Sequence, residues 1–112
     1  MNLFTSTSLP KAGFEEFETL HDADAVTIER IASNNLLNGQ WYDQDHDEWV
    51  ILTRGNAIIE LDDGSRLNMS AGDYLLLKAH THHRVAETSK DALWLAVHIK
   101  DTSNALDQKP AG

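Results

Sequence analysis

Residues 48–83 read EWVILTRGNAIIELDDGSRLNMSAGDYLLLKAHTHH, and their order decides the fold. Short runs of strand formers, Glu48 to Thr53, Ala57 to Leu61, Arg66 to Met69 and Tyr74 to Leu77, are cut at Gly55, at Asp62-Asp63-Gly64 and at Ala71-Gly72-Asp73. Asp63-Gly64 suits a tight hairpin turn, where positive backbone angles are needed. Tyr74 to Leu77 is continuously apolar, which predicts a strand buried on both faces. A carboxylate opens the stretch and an imidazole closes it. Six residues separate Glu48 from Gly55, and His83 lies eleven positions after Gly72. Carried on paired strands of a small all-β domain, the two groups point to a site inside a barrel.

The same pattern extends outward. Val26 to Ile31 alternates with period 2, as a half-buried strand does. Asn34-Asn35 and Asn38-Gly39 are turn signals. Gln40 to Gln44 reads as a strand carrying Trp41 and Tyr42. His82 to Thr88 and Ala92 to Ile99 close the series, joined by polar Ser89-Lys90-Asp91. Eight or nine short strands with frequent turns and no long helix predict an all-β jelly roll, sandwich or closed barrel. Hairpins over Asp47–Leu61 and Arg66–Leu77 make the expected sheet mainly antiparallel. Upstream, residues 1–25 form an N-terminal arm in which Phe14, Phe17 and Leu20 allow either a helical turn or an extended segment packed on the barrel or on a second subunit. Residues 26–100 form the barrel. Residues 101–112 form a polar tail expected to fray.

Composition narrows the function. The chain has 112 residues, enough for one core. Eighteen acids against nine bases give a net charge of -9, unsuited to phosphate backbones or anionic membranes. With no cysteine, disulfides, a thiolate nucleophile and thiolate-ligated zinc are excluded. No apolar run reaches the roughly 20 residues of a membrane helix. The start, Met1-Asn2-Leu3-Phe4-Thr5, lacks the pattern of a signal peptide, so a cytoplasmic protein is expected.

Trp41-Tyr42-Asp43-Gln44 through Gly55, and Gly72 through His83, resemble the two motifs of the cupin superfamily. So do Glu48-Trp49-Val50, Gly72-Asp73-Tyr74-Leu75-Leu76, Ala79-His80-Thr81, His83-Arg84-Val85 and Trp94-Leu95-Ala96-Val97-His98, in the manner of small single-domain bacterial cupins. The resemblance covers roughly residues 26–100 and implies a double-stranded β-helix, a jelly-roll barrel. Glu48, Gly55, Gly72 and His83 match the motifs in type and spacing. The two motif histidines fall on Tyr42 and Gln44, the motif proline on Lys78, its second glycine on His80 and its final asparagine on Glu87.

What the resemblance implies is a barrel interior faced by Tyr42, Gln44, Glu48 and His83. Tyr42 and Gln44 share one strand face. One reading is a divalent metal, Fe, Mn, Ni or Zn, held by Gln44, Glu48 and His83, with His98 or His80 as a further ligand. Glu48 is then ligand or base and Tyr42 a general acid or orienter, in a dioxygenase or an isomerase or lyase acting on a small molecule. The competing readings are a small-molecule binding or sensing cupin without turnover, and a metal-free enzyme or structural dimer that keeps the site residues as a polar network, with Glu48 and His83 bonded to each other. His80 and His82 share a face and offer a second, rim site, or else are solvated. His98 reads as a core histidine or a recruited ligand, and His46 as exposed. Asp43, Asp45, Asp47 and Glu48 lack the glycine and glutamate spacing of a calcium loop. Trp41, Trp49 and Trp94 are candidates for the core or for a homodimer interface.

Overall fold

The computed structural model describes residues 1–5 and 8–100. Eight strands and no helix occur among them. They are β1 Phe14–Asp22, β2 Val26–Asn34, β3 Asp47–Arg54, β4 Asn56–Leu61, β5 Arg66–Ser70, β6 Tyr74–Leu77, β7 His83–Thr88 and β8 Ala92–Ile99. Five strands form one sheet in the order β1-β2-β8-β3-β6, and three form another in the order β5-β4-β7. Every pairing between them is antiparallel. The result is the jelly-roll arrangement that the resemblance implied and that the strand count allowed, and no helix is long and apolar enough to cross a membrane among the described residues.

Local reading of the hairpins needs correction. Asp63-Gly64 does turn a hairpin, pairing β4 with β5. The flanking links are not hairpins: β3 pairs with β6 and β8, while β4 and β5 lie in the other sheet. The chain crosses between sheets at Gly55 and again at Gly72, where φ is +88° and +99°. Apolar runs on both sides of a glycine look the same whether the chain folds back beside itself or steps to a facing layer, so the sequence pattern does not separate the two.

One open alternative is decided, and two further elements differ from expectation. Of the two conformations open to Phe14–Leu20, the chain takes the extended one and adds β1 to the sheet edge, with Phe17 opposite Ile31. Gln40–Gln44 forms no strand; it touches β7 at a single bridge, Tyr42 to His83. Strand β6 is an edge strand, with Leu77 buried but Tyr74 and Leu76 exposed, because none of the described residues covers its outer side. The proposed tail, 101–112, lies outside the described residues.

The core fills the space between the sheets. Leu52, Ile59 and Trp94 are almost wholly buried, and Val50, Met69, Leu77 and Ala96 pack with them. Strand alternation produces this: Val50 and Leu52 on β3 face the same side as Trp94 and Ala96 on β8, their partners in register.

The two corner glycines should respond differently to substitution. At Gly55 an added Cβ would collide with Ser89 Oγ and lie 2.9 Å from Ala92 Cα, on top of the positive φ. Ser89 cannot move freely, since its Oγ accepts from Asn56 N–H at 3.0 Å. At Gly72 there is open space, and only the backbone strain remains. Gly72→Ala should cost about 1–2 kcal/mol. Gly55→Ala should cost more, by roughly 1–3 kcal/mol. Denaturant unfolding of both variants checks the order; equal costs would contradict it.

Candidate functional site

The cavity is built by the inward faces of both sheets, and its volume is about 350 Å³. That lies near the small end for ligand pockets. Strand register fixes its walls in rows. Glu48 on β3 sits opposite His98 on β8. Val50 follows, opposite Ala96, which faces Glu29 on β2. Next, Trp94 faces Ile31, which faces Phe17 on β1. Glu15 continues the same face of β1. The three-stranded sheet contributes Ile59, His83 and Val85, and the loop before β3 contributes Tyr42 and Gln44.

Glu48 and His83 are both buried, with Glu48 Oε1 3.9 Å from His83 Nε2. That separation is too long for a hydrogen bond. Glu48 Oε1 instead accepts from Gln44 Nε2 at 2.8 Å. His83 Nδ1 donates to the Thr81 carbonyl at 2.8 Å, which leaves Nε2 as the nitrogen facing Glu48. Tyr42 stacks on the His83 ring at a centroid distance of 5.8 Å. Of the residues expected at the site, Tyr42, Gln44, Glu48, His83 and His98 therefore line one cavity.

His80 does not join them. It is exposed at the rim, where its Nδ1 lies 3.0 Å from Asp43 Oδ1, and His82 Nε2 is 3.1 Å from the other oxygen of Asp43. Hydrogen bonding from His80 first, and the electrostatic influence of the neighbouring His82 and His80 rings, hold the Asp43 carboxyl below its usual range. His46 is half-buried, not exposed: its Nε2 lies 2.9 Å from His98 Nδ1. His98 Nε2 in turn lies 2.8 Å from Glu29 Oε1. Trp94 is core, Trp49 lies on the outer face against Tyr74, and Trp41 is exposed under the Arg84 guanidinium.

Sequence reasoning missed Glu15, Phe17 and Glu29. Even spacing along β1 and β2 places Glu15 with Phe17 and Glu29 with Ile31, but the opposite faces also mix charged and apolar residues, so period alone does not name the inner one. These carboxylates matter electrically. Burial raises the Glu48 carboxyl above its ordinary range; His98 and His83 pull it back and Glu29 pushes it further up. Burial likewise raises Glu15, against a hydrogen bond from Ser33. Burial raises the Tyr42 phenol, and Glu15, Glu48 and Glu29 all add to the shift.

A cupin-domain family model matches residues 38–98, more than half the chain. The chain belongs to the cupin family. A candidate mannose-6-phosphate isomerase of Ralstonia eutropha is 39% identical over 89% of this chain and 96% of that one, with a TM-score of 0.81. A conserved protein of unknown function from Streptococcus pyogenes is 17% identical over 89% and 85%, with a TM-score of 0.73. KdgF from Halomonas is also 17% identical, over 82% and 85%, with a TM-score of 0.70. At that identity the last two show the fold alone. No match was found among curated proteins.

Cupins commonly hold a divalent metal, and the donors here can be tested against one. No group of three or more His, Cys, Asp or Glu is arranged to hold a metal among the described residues. Both ring nitrogens of His98 are engaged by His46 and Glu29. Gln44 turns its amide nitrogen, not its oxygen, toward Glu48. The Tyr42 phenol is held in its neutral form, a weak donor. Glu48 and His83 remain, and two strong donors fall short of the three or four protein ligands typical of a resident transition metal.

Burial of Glu48 has a sign that can be measured. Its raised value means the folded protein holds a proton that the unfolded chain gives up. The group's contribution to stability therefore falls as pH rises from the ordinary carboxylate range through the raised value. Glu48→Gln keeps a hydrogen-bonding side chain and removes the charge. At pH 8 the variant should melt above the parent, and the gap should close as pH falls to about 4. Thermal scans across that range decide it; a variant that melts lower at every pH would mean the imidazoles more than offset the burial.

Proposed function

We propose that this cupin binds a small molecule in its cavity and moves a proton on it with Glu48 and His83, without a resident metal, as in isomerase or lyase chemistry. The observation that carries the reading is the buried carboxylate facing an imidazole nitrogen 3.9 Å away, with the other imidazole nitrogen tied to Thr81. Two proton-accepting atoms that do not bond each other leave a place for a substrate C–H or O–H between them. Burial lifts the Glu48 carboxyl toward the operating pH, where a general base works best. Tyr42, stacked on His83 and kept protonated, orients or donates to the developing oxyanion. The 39% identical Ralstonia protein, a candidate isomerase, supports this class of reaction. The acidic, cysteine-free sequence supports a cytoplasmic setting.

A second reading keeps a divalent metal between Glu48 and His83, with Gln44 rotated to present its oxygen. It is favoured by the Thr81 carbonyl, because fixing one imidazole nitrogen is how metal-binding histidines are commonly oriented. One experiment separates the two. Protein purified without an affinity tag is treated with chelator and incubated with small sugars and hydroxyketones in D₂O, and deuterium incorporation is read by NMR. Exchange that survives the chelator and falls at least about 100-fold in Glu48→Gln supports the metal-free reading. Exchange lost with the chelator, restored by Fe, Mn, Ni or Zn and absent in His83→Ala assigns the site to the metal. No exchange and binding alone would make this a sensing or carrier cupin.

We also propose a homodimer through the outer face of the five-stranded sheet. Trp49 and Tyr74 meet there at 5.6 Å between ring centroids, and Tyr74, Leu76 and Ile99 are exposed. An apolar surface of this kind marks an interaction site more often than bare solvent contact. Sedimentation should give about twice the 12.5 kDa chain mass, and Leu76→Glu should shift it to one. A clean monomer in the parent would remove the proposal.

A further inference from the structure

We propose that Asp45, His46, His98 and Glu29 form a proton path through the barrel wall, between solvent and the cavity. The inference rests on the proton-transfer reading above and adds the groups that connect that site to water. Three consecutive contacts make the path. Asp45 Oδ1 lies 3.2 Å from His46 Nδ1, His46 Nε2 lies 2.9 Å from His98 Nδ1, and His98 Nε2 lies 2.8 Å from Glu29 Oε1. The outer end is in water, with the Asp45 side chain 89% exposed, and the inner end, Glu29, lines the cavity with Glu48 and His83. The members come from the loop before β3, from β8 and from β2, so no local turn accounts for their alignment. An imidazole takes a proton on one nitrogen and gives one from the other near neutral pH. Holding a single carboxylate in place needs one imidazole; here a second carries the line on to the surface.

The bonds themselves require a mobile proton. Each of the three contacts needs one hydrogen, and two neutral rings supply two. With Asp45 ionised, the third sits on Glu29 with both rings neutral, or on His46 as an imidazolium with Glu29 ionised. All three bonds are made in either state. Moving two protons by one bond each, from Glu29 to His98 and from His98 to His46, converts one state into the other and shifts a unit of charge across the wall. No ring has to turn, and nothing is oxidised or reduced. Inside, Glu29 and Glu48 flank β8 on one face, and the side chain opposite Glu29 there is Ala96, too short to part them. Glu48 feels the path: beyond the burial that raises its carboxyl, His98, His83 and His46 pull it down and Glu29 pushes it up. A ligand that fills the cavity displaces its water. A proton that Glu48 takes from substrate carbon then passes through a substrate hydroxyl to Glu29 and leaves by the imidazoles, and a solvent proton returns by the same route.

The test gives the full chain, after chelator treatment, dihydroxyacetone in D₂O and sorts the glyceraldehyde formed by NMR into protium and deuterium at its middle carbon. Most of the parent's product should carry deuterium. His46→Gln keeps a side chain that bonds His98 but cannot pass a proton. Its product should retain the substrate's own protium, with deuterium incorporation about tenfold slower, and imidazole added to the buffer should restore the parent ratio. A merely structural role would lower conversion and deuterium together. An unchanged ratio, or one that imidazole does not restore, overturns the path and leaves Glu48 and His83 as the transferring pair. The resting protein supplies a readout that needs no turnover. Nitrogen NMR should show a through-bond coupling between His46 Nε2 and His98 Nδ1, and the His98 ring N–H should exchange with solvent about tenfold more slowly in His46→Gln. Absence of the coupling, or equal exchange, overturns the path whatever the turnover. Coupling and slowed exchange with no conversion of any hydroxyketone keeps the path and sinks the catalytic reading alone.

Discussion

Taking the Glu48 carboxylate out of water is the cost around which this interior is arranged. A buried charge is tolerated when it is neutralised, paired or hydrogen-bonded. Here the relief is partial. Gln44 donates one hydrogen bond, His83 stands off at 3.9 Å, and His98 acts from the neighbouring strand. Glu29 and Glu15 work in the other direction, and of these Glu29 has its own imidazole partner. A structural polar network would be expected to close its bonds. This one stops short at two places, the gap between Glu48 and His83 and the unpaired indole of Trp94.

The fold makes that incompleteness possible. Two sheets that face each other at a fixed distance leave room where side chains are short or polar, and the crossings at Gly55 and Gly72 set which residues face inward. Had β3 and β4 formed a simple hairpin, Glu48 and His83 would not converge from opposite layers. The glycine at position 55 is required for two reasons, backbone angle and the closeness of Ser89 and Ala92. Position 72 is held by backbone angle alone. Both glycines therefore belong to the architecture that positions the site rather than to the site itself.

The sequence disclosed these parts unequally. Most strand positions from Val26 onward and the Asp63-Gly64 turn could be read from periodicity, and the convergence of Tyr42, Gln44, Glu48 and His83 only from the motif resemblance. The pairing partners could not, because an apolar run has the same look in either sheet. Nor could the inward placement of Glu29 and Glu15. Strand β2 carries Glu29 with Ile31 on one face and Arg30 with Ile28 on the other, so alternation gives no preference. The outcome depends on where β8 and the N-terminal segment pack: Arg30 is buried too, but against the carbonyls of residues 2–5. His46 was hidden for a related reason, since its partner His98 is 52 residues away along the chain.

The departures from the usual motif are coherent when taken together. Replacing two imidazoles by a phenol and an amide weakens the donor set offered to a transition metal, yet the replacements are not inert. The phenol stacks on the retained imidazole, and the amide donates to the retained carboxylate. A site drifting without function would be free to fill with aliphatic side chains, which bury at no electrostatic cost. This interior instead keeps three carboxyl groups facing about 350 Å³ of space, two of them raised by burial and the third bonded to His98, a polar lining that folding alone gives no reason to retain. The geometry thus favours a bound molecule as the missing member of the network.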